Sequence, residues 1–106
     1  MKKQIKDLSL HEVDFIVAKA EVLDAKIQNK ACLIYDPFSH VCIYSPTTNP
    51  SKAWPIIERE RISILPQMKE WMAISLDGTR WTKAKTSLEA AMRAYVVAKF
   101  GDEVEL

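Results

Sequence analysis

Residues 71–84 read WMAISLDGTRWTKA, two largely apolar runs separated by Asp77-Gly78. Asp-Gly supplies the positive backbone angles of a tight turn, so this segment predicts a β-hairpin. Counting outward from the turn sets Ile74 opposite Trp81. The neighbouring segments are interpreted around this antiparallel pair.

A second hairpin is predicted earlier in the chain. Residues 31–36 and 41–44 are rich in aliphatic and aromatic side chains, and they flank Pro37-Phe38-Ser39-His40. This pattern indicates two strands joined by a four-residue loop, with Asp36 opposite Val41. Residues 62–65 add one more short strand, which we expect Pro66 to end.

The first predicted helix begins at a capping box formed by Ser9 and Glu12. Apolar residues then recur at intervals of three and four, which predicts a helix from residue 9 to about residue 23. The stripe expected to face the core is Val13, Ile16, Val17, Ala20 and Leu23. The residues expected to face water are Asp14, Lys19, Glu21 and Asp24.

The second predicted helix runs from residue 86 to residue 100. Thr86 and Glu89 repeat the capping-box pattern, and Gly101 is the expected C-terminal cap. The apolar stripe is Leu88, Met92, Tyr95 and Lys99 or Phe100. Alanines at positions 90, 91, 94 and 98 make this helix thin enough to lie close to a sheet.

These elements predict a fold of the α+β class. One antiparallel sheet of about four to five strands packs against an N-terminal and a C-terminal helix, in two layers. The chain has 106 residues, which is the size of one domain covering residues 1–106.

Composition argues against several classes of function. Lys and Arg number 15 against 14 Asp and Glu, so no overall charge attracts nucleic acid, and Trp54, Trp71 and Trp81 are expected in the core. The chain has two glycines, which leaves no room for a phosphate-binding loop or a dinucleotide fingerprint, and no catalytic motif is present. We therefore expect no enzyme activity, no catalytic residue and no cofactor.

The two cysteines indicate a reduced compartment. Cys32 and Cys42 are too few for a disulfide framework or a zinc site, and the hairpin register sets Cys42 opposite Tyr35 rather than Cys32. We expect free thiols and no bound metal. No signal peptide or long apolar segment is apparent, so the expected location is the cytoplasm, without membrane contact.

The segment from Tyr44 to Ile62, YSPTTNPSKAWPIIERERI, is the candidate binding site. Its three prolines predict a shaped loop rather than a strand or an ordinary helix interior, although one helical turn could begin at Pro55. The hydroxyl and amide side chains have two interpretations. They could satisfy the loop's own backbone, or they could bind a ligand.

In the second interpretation, this segment forms one wall of a concave site. Tyr44 or Trp54 would stack on a ring, hydroxyls and amides would donate hydrogen bonds, and Arg59 or Arg61 would contact an anionic group. Arg93 either points into this site or pairs with Glu89 one turn earlier. The predicted ligand-binding residues are Tyr44, Ser45, Thr47, Thr48, Asn49, Trp54, Glu58, Arg59, Arg61 and Arg93.

The segments VDFIVAKAE, YSPTTN, PIIERERI, WMA and AAMRAYVVAKFGDEVEL resemble the NinX family of small accessory proteins of lambdoid bacteriophages. The resemblance covers most of the chain. It departs from the family at Pro50, where tryptophan is usual, and at Ala53 and Trp54, where paired glycines are usual. Either the aromatic residue has moved to position 54 and covers the same pocket, or the pocket has changed specificity.

The resemblance implies a protein that acts in the host cell during infection. We expect it to act stoichiometrically, by binding a small polar or nucleotide-like anionic ligand and so sequestering a host signal, as in counter-defence. The alternative is a protein-binding modulator or inhibitor of a host factor. Assembly into a homo-oligomer is compatible with either hypothesis.

Overall fold

The computed structural model describes residues 2–38 and 40–106, which form an α+β fold of helices and antiparallel strands. The helices are α1 (Leu10–Ala20), α2 (Pro50–Glu60) and α3 (Ser87–Phe100), and a short 3-10 turn covers Ile5–Asp7. The strands are β1 (Lys2–Gln4), β2 (Ala25–Gln28), β3 (Ala31–Tyr35), β4 (Val41–Ile43), β5 (Ser63–Gln67), β6 (Glu70–Ile74), β7 (Trp81–Ala84) and β8 (Glu103–Glu105).

The strands lie in three small sheets, whereas the sequence predicted one sheet of four to five strands. Their orders are β1-β8, β2-β3-β4 and β5-β6-β7, and all pairs are antiparallel. The two three-stranded sheets rest on different helices: β2 and β3 pack against α1, whereas β5, β6 and β7 pack against α3. The α+β class and the antiparallel pairing are confirmed.

The β6–β7 hairpin has the predicted register, with Ile74 opposite Trp81. Asp77 closes its turn by accepting hydrogen bonds from the Ser75 hydroxyl and the Thr79 backbone N–H, and Gly78 has a φ of +74°. The positive backbone angle was therefore correctly predicted at Gly78.

The β3–β4 hairpin is also present, but its register differs from the predicted one by one residue. Tyr35 lies opposite Val41, so Cys42 pairs with Ile34. The reason is local: the Asp36 carboxylate accepts hydrogen bonds from the backbone N–H groups of Phe38 and His40, which places Asp36 in the loop rather than opposite Val41. Ser39, within the predicted loop, lies outside the described residues.

Two further strand predictions need correction. Pro66 does not end β5, because it pairs with Trp71, and β5 is an edge strand where a missing N–H is tolerated. The strand β2 falls in residues for which no element was predicted. Its turn into β3 uses Asn29 and Lys30 at φ values of 52° and 59°, a turn formed here without glycine.

The predicted caps of α1 and α3 are largely correct. Ser9 and Glu12 form the reciprocal capping box, and the Thr86 hydroxyl accepts from the backbone N–H of Glu89. However, α1 ends at Ala20 rather than near residue 23, since Val22 has a φ of 59°. The side chain of Glu89 contacts Arg93 instead of completing a second capping box.

The core lies where α1 meets α3. Val13, Ile16 and Val17 of α1 are buried, and α3 buries residues 90–97 without interruption. Three alanines on α3, at positions 90, 91 and 94, allow its neighbours to approach closely. The α3 helix is thus a central helix rather than one with a single apolar stripe, and Lys99 and Phe100 of the predicted stripe are exposed.

The two thiols differ in environment, which predicts different reactivities. Cys32 is 1% exposed, and burial raises the pKa of its thiol to about 12, whereas Cys42 is exposed. A maleimide reagent at neutral pH is expected to label Cys42 rapidly and Cys32 only after unfolding, because the thiolate is the reactive form. Mass spectrometry of the native protein measures the labelling rate of each thiol. Equal rates for Cys32 and Cys42 would contradict this placement.

Candidate functional site

The proline-rich segment folds differently from the prediction. Residues 50–60 form the helix α2, although the sequence predicted a loop. Pro50 is the first helical residue, where the absent N–H is not needed, and the Asn49 side chain caps the helix by accepting from Ser51 N at 3.0 Å. Pro55 lies inside the helix and is exposed. The short alternative of one helical turn from Pro55 is therefore also superseded.

The first part of the segment is tied to α1. Tyr44 is 5% exposed, and burial raises the pKa of its phenol to about 12. Thr47 is 1% exposed, and its backbone N–H donates to Asp14 Oδ1 at 2.9 Å. The Thr48 hydroxyl donates to the carbonyl of Ser45. Tyr44 and Thr47 are thus buried, and the exposed Thr48 binds the backbone of its own segment, but the buried Thr47 hydroxyl has no hydrogen-bond partner among the described residues.

Asp14 was expected to face water but is 4% exposed. Desolvation raises the pKa of its carboxyl above the ordinary value, and the hydrogen bond from Thr47 N opposes this in part. The sequence pattern places Asp14 on the solvent-facing side of α1. In the structure it is buried, where it accepts a hydrogen bond from the backbone N–H of Thr47. The prediction failed because the partner lies 33 residues away.

The raised pKa of Asp14 predicts a pH-dependent effect on stability. Because the folded state holds this proton more tightly than the unfolded state, the contribution of Asp14 is most favourable below the unfolded pKa of about 4 and falls as pH rises through the folded value. Asp14→Asn removes this dependence. The free energy of unfolding of the variant minus that of the wild type, from urea titrations at pH 3 to 7, should therefore increase with pH. A decrease would contradict the assigned direction.

Arg59 is fully engaged by groups of the chain itself. Its Nη1 and Nη2 donate to the two carboxylate oxygens of Glu21 at 3.0 and 2.6 Å, and its Nε donates to Glu60 at 2.8 Å. Nη2 also donates to the Tyr95 hydroxyl. The hydrogen bonds from Arg59 lower the pKa of Glu21. This network joins the end of α1 to α2 and α3, and it already supplies anionic partners for Arg59.

The remaining predicted residues of α2 are exposed. Trp54 is 51% exposed, Glu58 lies at the surface, and Arg61 ends the helix with a left-handed φ of 52°. A cavity of about 320 Å³ adjoins Arg59, but Glu60 and Asp77 also line it. A binding role for Tyr44–Arg61 stays a prediction, and the charges of this cavity do not favour an anion.

Arg93 has the second of its two predicted roles. Its Nε donates to Glu89 at 2.9 Å, and Nη1 and Nη2 donate to the carbonyls of Ile5 and Leu8, each at 2.7 Å. The residue is 8% exposed. It anchors the N-terminal segment to α3. Arg93 also lines a second, larger cleft.

This larger cleft, called the basic cleft below, has a volume of about 590 Å³. It lies between β7, the N-terminal segment and α3. Four cationic side chains line it with a single carboxylate. Its lining is Gln4, Ile5, Lys6, Thr79, Arg80, Trp81, Thr82, Lys83, Arg93, Val97 and Asp102.

Three of the four cations of the basic cleft, Lys6, Arg80 and Lys83, are less fully engaged than Arg59, whereas Arg93 already binds Glu89 and two carbonyls. Arg80 donates to Asp102 through Nη1 at 2.9 Å, with side chains 43% and 69% exposed, and such surface pairs contribute little stability. Lys6 and Lys83 are exposed. The whole chain carries a net charge of +1, so this cleft concentrates positive charge that the total does not reveal.

A free strand edge also borders the basic cleft. Ser75 N donates to Arg80 O, which marks these residues as a hydrogen-bonded pair. In antiparallel strands, hydrogen-bonded pairs alternate with non-hydrogen-bonded pairs. Trp81 and Lys83 occupy non-hydrogen-bonded positions, so their backbone N–H and C=O groups point away from β6. Since β7 is at the sheet edge, they point outward, where Trp81 and Lys83 line the cleft.

The basic cleft was not predicted from the sequence. All three tryptophans were expected in the core, yet Trp54, Trp71 and Trp81 are 51%, 37% and 57% exposed. A signal was present: Trp81 and Lys83 alternate on a predicted strand, so they share one face, and Lys83 Nζ lies 5.6 Å from the Trp81 ring centroid. Lys6 and Asp102 also line the cleft, but they lie near opposite ends of the chain, so the sequence does not show that they come together.

Within residues 2–38 and 40–106, no group of three or more His, Cys, Asp or Glu side chains is arranged to hold a metal ion. The helices in the described part of the chain are all too short or too polar to cross a membrane.

Comparison with known proteins bears on the family. No curated protein gives a significant match to the chain. The model of the family described as "Bacteriophage P22, NinX" matches residues 4–99, a span that includes α1, α2 and nearly all of α3. The match confirms the resemblance noted in the sequence, and the chain belongs to the bacteriophage P22 NinX family.

Proposed function

We propose that this protein acts stoichiometrically, without catalysis, by binding a small polar anionic ligand in the basic cleft. The observation that carries the proposal is the set of three exposed cations, Lys6, Arg80 and Lys83, around one cavity in which Asp102 is the only carboxylate among the described lining residues. Charge-assisted hydrogen bonds from arginine and lysine are the strong contacts available to phosphate or carboxylate groups. In an infected cell, such binding would sequester a host metabolite or signal.

The cleft supports this function better than the proline-rich segment does. Its volume of about 590 Å³ falls within the range of about 300–1,000 Å³ typical of small-molecule sites. Arg80 keeps Nε and Nη2 without a partner among the described residues, whereas every guanidinium nitrogen of Arg59 is engaged. An anion can therefore bind Arg80 without breaking a network of the kind that engages Arg59.

Calorimetry with inorganic pyrophosphate tests this proposal. We expect saturable binding at one site per chain that weakens as salt increases, because exposed charges are screened. Lys83→Glu should weaken binding at least tenfold, since a hydrogen bond to a charged group contributes about 1.5–3 kcal/mol. Lys52→Glu is the matched control, because Lys52 is an exposed lysine on α2, outside the cleft lining.

The two variants decide the outcome together. Equal loss of binding in both would indicate a nonspecific charge effect and would contradict a site at the cleft. The absence of saturable binding by inorganic phosphate, pyrophosphate and citrate at low salt would contradict the proposed function itself.

One observation favours the second candidate function, a modulator of a host protein. The edge strand β4 carries no charged residue, and its Val41 and Ile43 side chains are 51% and 63% exposed. Uncharged, exposed edges are unusual unless a partner strand covers them. Under this alternative, Ile43→Lys should abolish capture of a host protein at fixed stoichiometry and leave pyrophosphate binding unchanged.

A further inference from the structure

We infer that the ligand of the basic cleft is a nucleoside phosphate, in which an aromatic base lies beside Trp81 and the phosphate contacts the surrounding cations. This inference rests on the proposed function, since it specifies the class of anion that the same cleft binds. It differs from the sequence-based hypothesis, which placed a nucleotide-like ligand against Tyr44–Arg61. Three features of the cleft carry it.

The first feature is the aromatic surface next to the charge. Trp81 is 57% exposed and lines the cleft. An exposed indole ring offers a face on which a nucleobase can stack, and this contact does not depend on which base is present. Inorganic anions and carboxylic acids do not use this surface.

The second feature is the distance between the ring and the cations. Lys83 Nζ lies over the Trp81 ring, 5.6 Å from its centroid, so a cation and the aromatic side chain share one face of β7. Base and phosphate are separated by one sugar in a nucleotide, so both ends can be contacted from this short stretch of β7. Lys6 and Arg80 also line the cleft and add two further cations for the phosphate.

The third feature is the free edge of β7. The N–H and C=O groups of Trp81 and Lys83 point away from β6, so each residue presents a donor beside an acceptor. The edge of a nucleobase has the same alternation of donors and acceptors. The cleft therefore offers hydrogen bonds for a heterocycle, a ring surface and a cluster of positive charge.

Fluorescence and calorimetric titrations with four compounds test the inference. The compounds are adenosine 5′-monophosphate, adenosine, ribose 5-phosphate and inorganic pyrophosphate. We expect adenosine 5′-monophosphate to bind more tightly than adenosine or ribose 5-phosphate, and to quench Trp81. Trp81→Leu should weaken its binding by about 5- to 140-fold, which corresponds to the loss of one base stack, and leave pyrophosphate binding within about twofold.

Trp54→Leu is the matched control, because Trp54 is 51% exposed and lies on α2, outside the cleft lining. Its affinity for adenosine 5′-monophosphate should equal that of the wild type. Circular dichroism and the melting temperature establish that both variants fold, which is expected because both side chains are largely at the surface.

The outcomes separate the two proposals. If pyrophosphate binds but adenosine 5′-monophosphate gains nothing over ribose 5-phosphate, the nucleoside assignment is wrong and the proposed function stands. If no anion binds, the proposed function is wrong as well. The same titration is made with a single-stranded pentanucleotide. If the protein binds it more than about tenfold more tightly than adenosine 5′-monophosphate, the ligand is a nucleic-acid strand rather than a free nucleotide.

Discussion

Replacing Arg93 with alanine is expected to lower the free energy of unfolding by about 3–5 kcal/mol, the usual loss when one partner of a buried ion pair is removed. The guanidinium is 8% exposed and donates to the carbonyls of Ile5 and Leu8 and to the carboxylate of Glu89. Without it, three acceptors lose their donor, and the N-terminal segment loses its anchor on α3. Domains of this size have a total stability of about 5–15 kcal/mol, so urea denaturation should detect the change easily.

Arg80→Ala is the control for this prediction. Arg80 also forms an ion pair, but its side chain is 43% exposed and its partner Asp102 is 69% exposed. Such a pair contributes about 0–1 kcal/mol. Arg93→Lys should recover only part of the loss, because lysine cannot donate to the two carbonyls with a fork geometry. Equal losses for Arg93→Ala and Arg80→Ala would mean that Arg93 is not a buried anchor.

Truncating Ile16 is expected to produce the other large loss of stability. Ile16 is 2% exposed on α1, which packs directly on α3. Ile16→Val should cost about 0.5–1.5 kcal/mol and Ile16→Ala about 2–5 kcal/mol, because the cavity grows with each carbon removed. Chemical denaturation of both variants measures this series.

Ile43→Ala makes the same deletion at a side chain that is 63% exposed. Its cost should stay below about 1 kcal/mol, since little apolar area is lost from the core. A cost for Ile43→Ala as large as that for Ile16→Ala would show that the contact of α1 with α3 is not the centre of the core.

The parts of the fold that could be predicted depend on local signals. The Ser9–Glu12 capping box and the Asp77-Gly78 turn act between residues that are close in sequence, and both are present. The helix α2 was missed because proline was treated as a breaker, although Pro50 occupies the first helical position, where its ring is favourable. The division into separate sheets was missed because β2 and β3 pack against α1 while β5, β6 and β7 pack against α3, and no local pattern encodes these contacts.

The candidate site was harder to predict because its residues come from distant parts of the chain. Arg59 carries the charge expected of an anion-binding residue, but Glu21, which is 38 residues away, binds it first. The basic cleft combines Lys6 near the start, Arg80 and Lys83 on one hairpin, and Asp102 near the end. Composition could not reveal it, because acidic residues elsewhere reduce the net charge to +1.

Binding of an anion in the basic cleft is the central claim, and a nuclear magnetic resonance titration with adenosine 5′-monophosphate tests it most directly. Saturable shifts are expected in the indole N–H of Trp81 and in the backbone amides of Trp81 and Lys83, which point outward from the free edge of β7. The amides of residues 45–61 should not move. Saturable shifts confined to residues 45–61, or no saturable shift at all, would contradict the account.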